Sequence, residues 1–176
     1  MTQNLHQEEN AKLLDAILLH VPFDGWSQVS FAAACQDCDI DVSIARIQCP
    51  RGALDLAVMF HQAGDQAMQR QLDDMDLSGL KFREKVTAAV RARIEVIADK
   101  EAVRRGSTLF SLPQNAIEGA GLIWGTSDAI WTHLGDTSAD VNWYTKRASL
   151  SAVYGACILY WLGDDSPDHA ATWDFL

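Results

Sequence analysis

Residues 140–163 read DVNWYTKRASLSAVYGACILYWLG, and this stretch decides the fold class. Asp140 offers a side-chain oxygen where a helix needs an N-cap, and nothing breaks the run that follows until Gly163 to Pro167. Its apolar residues lack the two-residue alternation of a strand. The segment therefore reads as a long helix reaching Leu162, with a last helix starting at Pro167 and still running at Leu176. Ala148 to Gly163 carries no charge, yet it falls short of the roughly 20 apolar residues a membrane-spanning helix needs. A buried helix is the better reading.

The same helical spacing recurs upstream. Pro113 suits the first turn of a helix reaching about Leu134. Phe82, Val86, Val90, Ile94 and Ile97 form an apolar stripe that predicts an amphipathic helix from about Leu80 to Asp99, and Phe110 and Leu112 close a short helix after Gly106 and Ser107. From Gly52 to about Leu72, Leu56, Met59, Phe60, Ala63 and Ala67 recur every three or four positions. Before them, Leu13 to Val21 form a helix that Pro22 and Gly25 stop. A second helix starts near Ser27, and Asp41 can cap a third ending before Pro50. The expected fold is all-α, with a three-helix helix-turn-helix part over residues 1–50 and a larger helical part over residues 51–176.

Composition narrows the function. The 176 residues include 24 acids against 14 bases, a net charge of -10, and 48% hydrophobic content suits a packed domain. Nucleic-acid binding needs clustered Lys and Arg. The segment from Pro22 to Pro50 instead carries Asp24, Asp37, Asp39 and Asp41 against Arg46 alone, so no nucleic-acid partner is expected. Bases concentrate between Lys81 and Arg105, interleaved with acids, as on a solvated helix face or one meeting lipid headgroups. With no secretory signal at Met1 and no disulfide framework among the four cysteines, a reducing, cytoplasmic setting is expected.

Catalytic chemistry finds little support. His6, His20, His61, His133 and His169 are scattered without a carboxylate at metal-ligand spacing. No Glu-x-x-His pair exists for a di-iron bundle. Cys35-x-x-Cys38 with Cys49 can be read as zinc ligands or a redox pair, against the plainer reading of small thiols in a helical core. Gly119, Gly121 and Gly125 lack the dinucleotide spacing and suit close packing of a helix. Neither a metal nor a cofactor is expected.

The last two long helices concentrate aromatic residues: Trp124, Trp131, Trp143 and Trp161 stand among Tyr144, Tyr154 and Tyr160. Two readings stay open, a packed core and an apolar cavity in which a hydrophobic ligand takes the place of missing side chains. Candidate lipid contacts are Ile123, Trp124, Ile130, Leu134, Trp143, Tyr144, Leu150, Tyr154, Ile158 and Trp161.

Within this pattern, Asp140-Val-Asn142-Trp143-Tyr144-Thr145-Lys146-Arg147-Ala148, Ser166-Pro167-Asp168 and Thr172-Trp173-Asp174-Phe175-Leu176 resemble the signature of the coenzyme Q biosynthesis accessory family, the ninth of the COQ proteins. The likeness extends through Trp131-Thr132-His133-Leu134-Gly135-Asp136 and, more weakly, through Leu112-Pro113-Gln114-Asn115, His20-Val21-Pro22 and Gly25-Trp26. Such proteins have a fold similar to TetR-type regulators, with a helix-turn-helix no longer used for DNA and a C-terminal helical part that binds lipids. The resemblance implies a non-catalytic factor of ubiquinone biosynthesis that binds isoprenoid quinone precursors or other lipids and presents demethoxyubiquinone to the di-iron hydroxylase.

The resemblance also implies a homodimer joined through the last two long helices, and peripheral contact with the inner face of the cytoplasmic membrane. Trp131, and with it His133, takes a partner-contact role by the same likeness, since an exposed tryptophan makes a good interface anchor. A scaffold role falls to Asp140 as helix cap, Asn142 as a local hydrogen-bonding group, Arg147, Pro167 and Trp173, with Trp143 and Tyr144 packed inward. Family members continue past the Thr-Trp block into an amphipathic helix that docks on the membrane, whereas this sequence ends at Leu176. The competing expectation is a TetR-like transcriptional regulator with a hydrophobic effector pocket.

Overall fold

The computed structural model describes the backbone of residues 2–176 and the side chains of residues 8–176, so the side chain of His6 lies outside the described residues. Among these residues the protein is all-α. Its helices are α1 Thr2–Asp24, α2 Gln28–Asp37, α3 Val42–Gln48, α4 Ala53–Asp73, α5 Phe82–Glu95, α6 Lys100–Ser111, α7 Ala116–His133, α8 Val141–Gly163 and α9 Ala170–Phe175, with a 3₁₀ turn at Pro167–His169. No strand occurs among the described residues.

Five boundaries differ from the sequence reading. Pro22 lies inside α1 rather than ending it. A proline near a helix C-terminus forfeits only one hydrogen bond, and the break falls at Gly25, whose φ of +64° is open to glycine without strain. Helix α5 stops at Glu95, because Asp99 is already the N-cap of α6, its carboxylate accepting from the Ala102 N–H at 2.9 Å. Helix α6 consequently starts well before Gly106 and runs through it. Pro113 precedes α7 instead of opening it, since Leu112 to Asn115 close a turn of their own through the Asn115 N–H and the Leu112 carbonyl at 2.9 Å. The last segment is a 3₁₀ turn followed by α9, with Asp168 and His169 both left-handed between them.

The chain forms two compact units, Met1–Gln62 with Asp99–Ala116 and Ala63–Ala98 with Ile117–Leu176. In the first, α1 buries Leu13, Ile17 and Val21 with Phe31, Ala34 and Cys35 of α2, Ala45 of α3 and Leu56 of α4. Trp26 ties α6 into this core by donating its indole N–H to the Ala102 carbonyl at 3.0 Å. Cys35 and Cys49 are fully buried, and burial pushes the Cys49 thiol up to about 11. The Cys38 thiol donates to the Lys12 carbonyl at 3.5 Å. All four cysteines are free, and no group of three or more His, Cys, Asp or Glu among the described residues is placed to hold a metal.

The second unit packs the later half of α4, α5, α7, α8 and α9. Its core includes Met68, Leu72, Val90, Ile94, Ile130, Leu150, Tyr154, Cys157 and Trp161. A polar network runs through it. Arg93 is buried and pairs with Asp65 at 2.6 Å, Asp65 also accepts from the Thr126 hydroxyl at 2.8 Å, and the guanidinium lies 5.9 Å from the Tyr154 ring centre. A buried charge needs such partners to persist. The Ser127 and Ser151 hydroxyls meet at 3.0 Å and link α7 to α8. The inward faces of these helices are therefore packed. No helix of the described residues is long and apolar enough to cross a membrane.

Candidate functional site

The second unit carries a groove of about 540 Å³ along its surface. One wall is the α5 stripe Phe82, Val86 and Val90, three residues at four-residue spacing and therefore on one helix face. The other is α8, which contributes Thr145, Ser149, Leu150 and Val153, with Leu176 at the chain end. Trp131 of α7 forms the floor. Its ring stacks on Phe82 with centroids 5.2 Å apart, and its indole N–H donates to the Lys146 carbonyl at 3.2 Å. Trp131 thus meets the groove with its apolar body while its polar edge is spent within the protein. Arg83 and Lys146 place cations on the same lining.

The turn before α8 holds that floor in place. Gly135, at φ +78°, ends α7: its own N–H bonds the Thr132 carbonyl at 3.0 Å and the Asp136 N–H bonds the Trp131 carbonyl at 2.9 Å, the paired bonds of a Schellman cap. Asp136 then accepts from Lys146 Nζ at 2.7 Å, the Ser138 hydroxyl at 2.8 Å and Arg147 at 3.0 Å. The Lys146 ammonium above all, with Ser138 and Arg147, holds its carboxyl far below the usual carboxylate range. Arg147 is buried, pairs also with Asp128 at 2.5 Å, and lies 4.2 Å from the Trp143 ring centre. Trp131, Asp136, Lys146 and Arg147 are thus one physical assembly.

Few of the expected lipid contacts line the groove. Leu150 does. Ile130 and Tyr154 are buried in the core, and Ile123, Leu134 and Ile158 are half-buried beside it. Trp124 packs on Trp143 and Trp143 on Tyr144, with centroids 5.8 and 4.8 Å apart. Tyr144 is not packed inward: it is 64% exposed, because only one edge of its ring meets Trp143. Trp161 lies at a second cleft, of about 450 Å³, with Arg91, His169 and Trp173.

Trp131 is only 9% exposed, so it is no protruding anchor. His133 is half-buried, its Nε2 3.8 Å from Asp73. Asp140 caps α8 by accepting from the Asn142 N–H at 2.9 Å, and the Asn142 amide returns a bond to its other oxygen at 3.2 Å. Pro167 opens the 3₁₀ turn, and Trp173 donates to the Asp168 carbonyl at 2.8 Å beneath Arg91. Gly121 and Gly125 of α7 face open space rather than a packed neighbour. Absent from the candidates read in the sequence are Phe82, Val86 and Val90; their stripe was visible, but nothing in it said that α8 and Trp131 lie opposite.

Residues 116–176, which carry the floor, the turn and α8, match the family described as COQ9. Ubiquinone biosynthesis protein COQ9, mitochondrial, of Xenopus tropicalis is 32% identical over 173 residues, covering 94% of this chain and 54% of the relative. The proteins of the same name from Drosophila melanogaster and Homo sapiens are each 30% identical over 94% of the chain, which covers 52% and 54% of them. The chain is thus similar to COQ9 proteins along 94% of its length. It spans about half the length of these COQ9 relatives. The COQ9 segment coincides with the groove floor and the Asp136 assembly, whereas the α5 wall lies outside it.

Proposed function

We propose that this chain is a member of the COQ9 family and a non-catalytic accessory protein of ubiquinone biosynthesis that holds an isoprenoid quinone precursor along the groove between α5 and α8 and presents demethoxyubiquinone to the di-iron hydroxylase. The observation that carries this reading is the groove itself, apolar along Phe82, Val86, Val90, Leu150 and Val153 and floored by Trp131. Its volume falls within the roughly 300–1,000 Å³ of small-molecule sites. Each methylene withdrawn from water there contributes about 0.8 kcal/mol, so a short length of isoprenoid tail suffices for binding. An open groove also suits delivery, since the ligand leaves sideways without unfolding its carrier.

The name that the relatives carry supports the pathway, and a soluble carrier for a water-insoluble intermediate supports peripheral membrane contact. A homodimer is proposed through the outward faces of α7 and α8, where Ile117, Val141 and Leu159 are exposed and Gly121 and Gly125 face open space. The test is mass spectrometry of organic extracts from the protein purified without added lipid, beside a mock purification. Enriched isoprenoid quinones are expected. A lipid-free protein that also fails to take up ubiquinone from detergent would overturn the reading.

A further inference from the structure

Helix α3, the position of a reading helix in a helix-turn-helix, presents an apolar face. It turns Ala45 into the core and leaves Ile44 and Ile47, three residues apart and so on one face, 52% and 73% exposed. Its single cation is directed elsewhere: the Arg46 guanidinium donates to Gln28 Oε1 at 2.5 Å and the Pro50 carbonyl at 3.3 Å, and lies 5.6 Å from the Phe31 ring centre. N-terminal to that face, Asp37 at the end of α2 and Asp39 and Asp41 in the turn into α3 are exposed. Asp37 pairs with His20 at 2.6 Å, Asp39 is left-handed, and hydrogen bonds from Ser43 hold the Asp41 carboxyl below its usual range, so it stays charged.

The outer areas of Ile44 and Ile47 add nothing to this chain's own core and are available for burial against a partner. The acids leading into α3 choose among occupants. Phosphate-bearing surfaces, nucleic acid and anionic membrane alike, are repelled by them. A second copy meeting this face symmetrically would bring the same acids toward one another. An amphipathic helix bearing Lys and Arg beside its apolar stripe satisfies both features. We propose that the α3 face of this chain docks a basic amphipathic helix of a partner protein. The inference is independent of the lipid groove.

The full chain, labelled with nitrogen-15, is titrated with two synthetic helical peptides that share one leucine face and carry lysine or glutamate on the other. The lysine peptide should bind and shift amides concentrated in residues 37–48, while the glutamate peptide should not bind. Ile44→Ser with Ile47→Ser, both at exposed positions and so without effect on folding, should weaken binding about tenfold or more, as loss of interface anchors does. Asp39→Asn, which keeps the left-handed backbone accessible, should weaken it less and flatten its salt dependence. Lysine-peptide binding that ignores the serine variants would expose a general attraction to an acidic chain and overturn the proposal. So would equal binding of both peptides, binding of neither, or shifts in the same residues on adding duplex DNA or phosphatidylglycerol vesicles.

Discussion

Arg147 and Asp136 meet at 3.0 Å across the turn between α7 and α8, and each side chain is only 3% exposed. Asp136 gathers Lys146 and Ser138 as well, and Arg147 gathers Asp128 and the Trp143 carbonyl. Removing one member of such a pair leaves its partner charged and poorly solvated, which costs more than the pair contributes. Arg147→Met should therefore lower the melting temperature far more than Asp140→Ala, whose lost cap costs about 1 kcal/mol. Thermal denaturation followed by circular dichroism compares them. Equal losses would mean that the network is slack.

Gly64 lies against the buried Arg93, and a Cβ there would approach Nη1 of Arg93 to 2.6 Å. Alanine gains about 1 kcal/mol in helix propensity, but displacing a guanidinium held at 2.6 Å by Asp65 costs about 1–3 kcal/mol. Gly64→Ala should thus be destabilising by about 1 kcal/mol in urea denaturation. A stabilised variant would mean that Arg93 moves freely.

Much of this architecture was legible in advance, because helix periodicity and capping are local. Asp41 and Asp140 cap as their positions imply, and Ser27 opens α2. The illegible parts were non-local. That α5 walls a groove opposite α8 depends on tertiary packing, so Phe82 and Val86 carried no label beyond an amphipathic stripe. Aromatic richness drew attention to Trp143 and Tyr154, whereas an Arg147 guanidinium and an Arg93–Asp65 pair stand beside them. Arg147 carried a scaffold role by resemblance, but nothing in the sequence paired it with Asp136 or set Lys146 beside them.

The groove has a rim residue that can be enlarged without disturbing the core. Val153 is 47% exposed on the lining, so Val153→Trp should leave stability within about 0.5 kcal/mol of the parent. It should also reduce co-purified lipid several-fold. Unchanged lipid content, measured by mass spectrometry on a variant with an unaltered melting temperature, would place the ligand elsewhere.

Gly135 tests the turn through the backbone alone. A methyl group there meets nothing within 4 Å, yet φ is +78°. Any L-residue pays the left-handed penalty, about 1–2 kcal/mol, for keeping the Schellman cap. Gly135→Ala should lose that amount in urea denaturation, and Gly135→Asn should lose less. Equal stability of all three would mean that the turn relaxes.

Acid sensitivity should be traceable to Asp164. It is buried and accepts from the Ser166 N–H at 2.8 Å, the Thr172 N–H at 2.9 Å and the Thr172 hydroxyl at 2.5 Å. Bonds from Ser166 and Thr172 hold its carboxyl well below the ordinary value of 3.8. A folded-state value below the unfolded one means that the unfolded chain takes up the proton first as pH falls. The stabilisation is therefore complete above the unfolded value and disappears progressively as pH falls from there through the folded value. Asp164→Asn keeps an acceptor but not the charge, so it should be less stable than the parent at pH 7, with the difference narrowing below about pH 4. Asp136 shares this direction and stays in both proteins, so melting curves of the two across acid pH isolate the Asp164 contribution. A gap that stays constant from neutral to acid pH would show that Asp164 anchors α9 by shape rather than by charge.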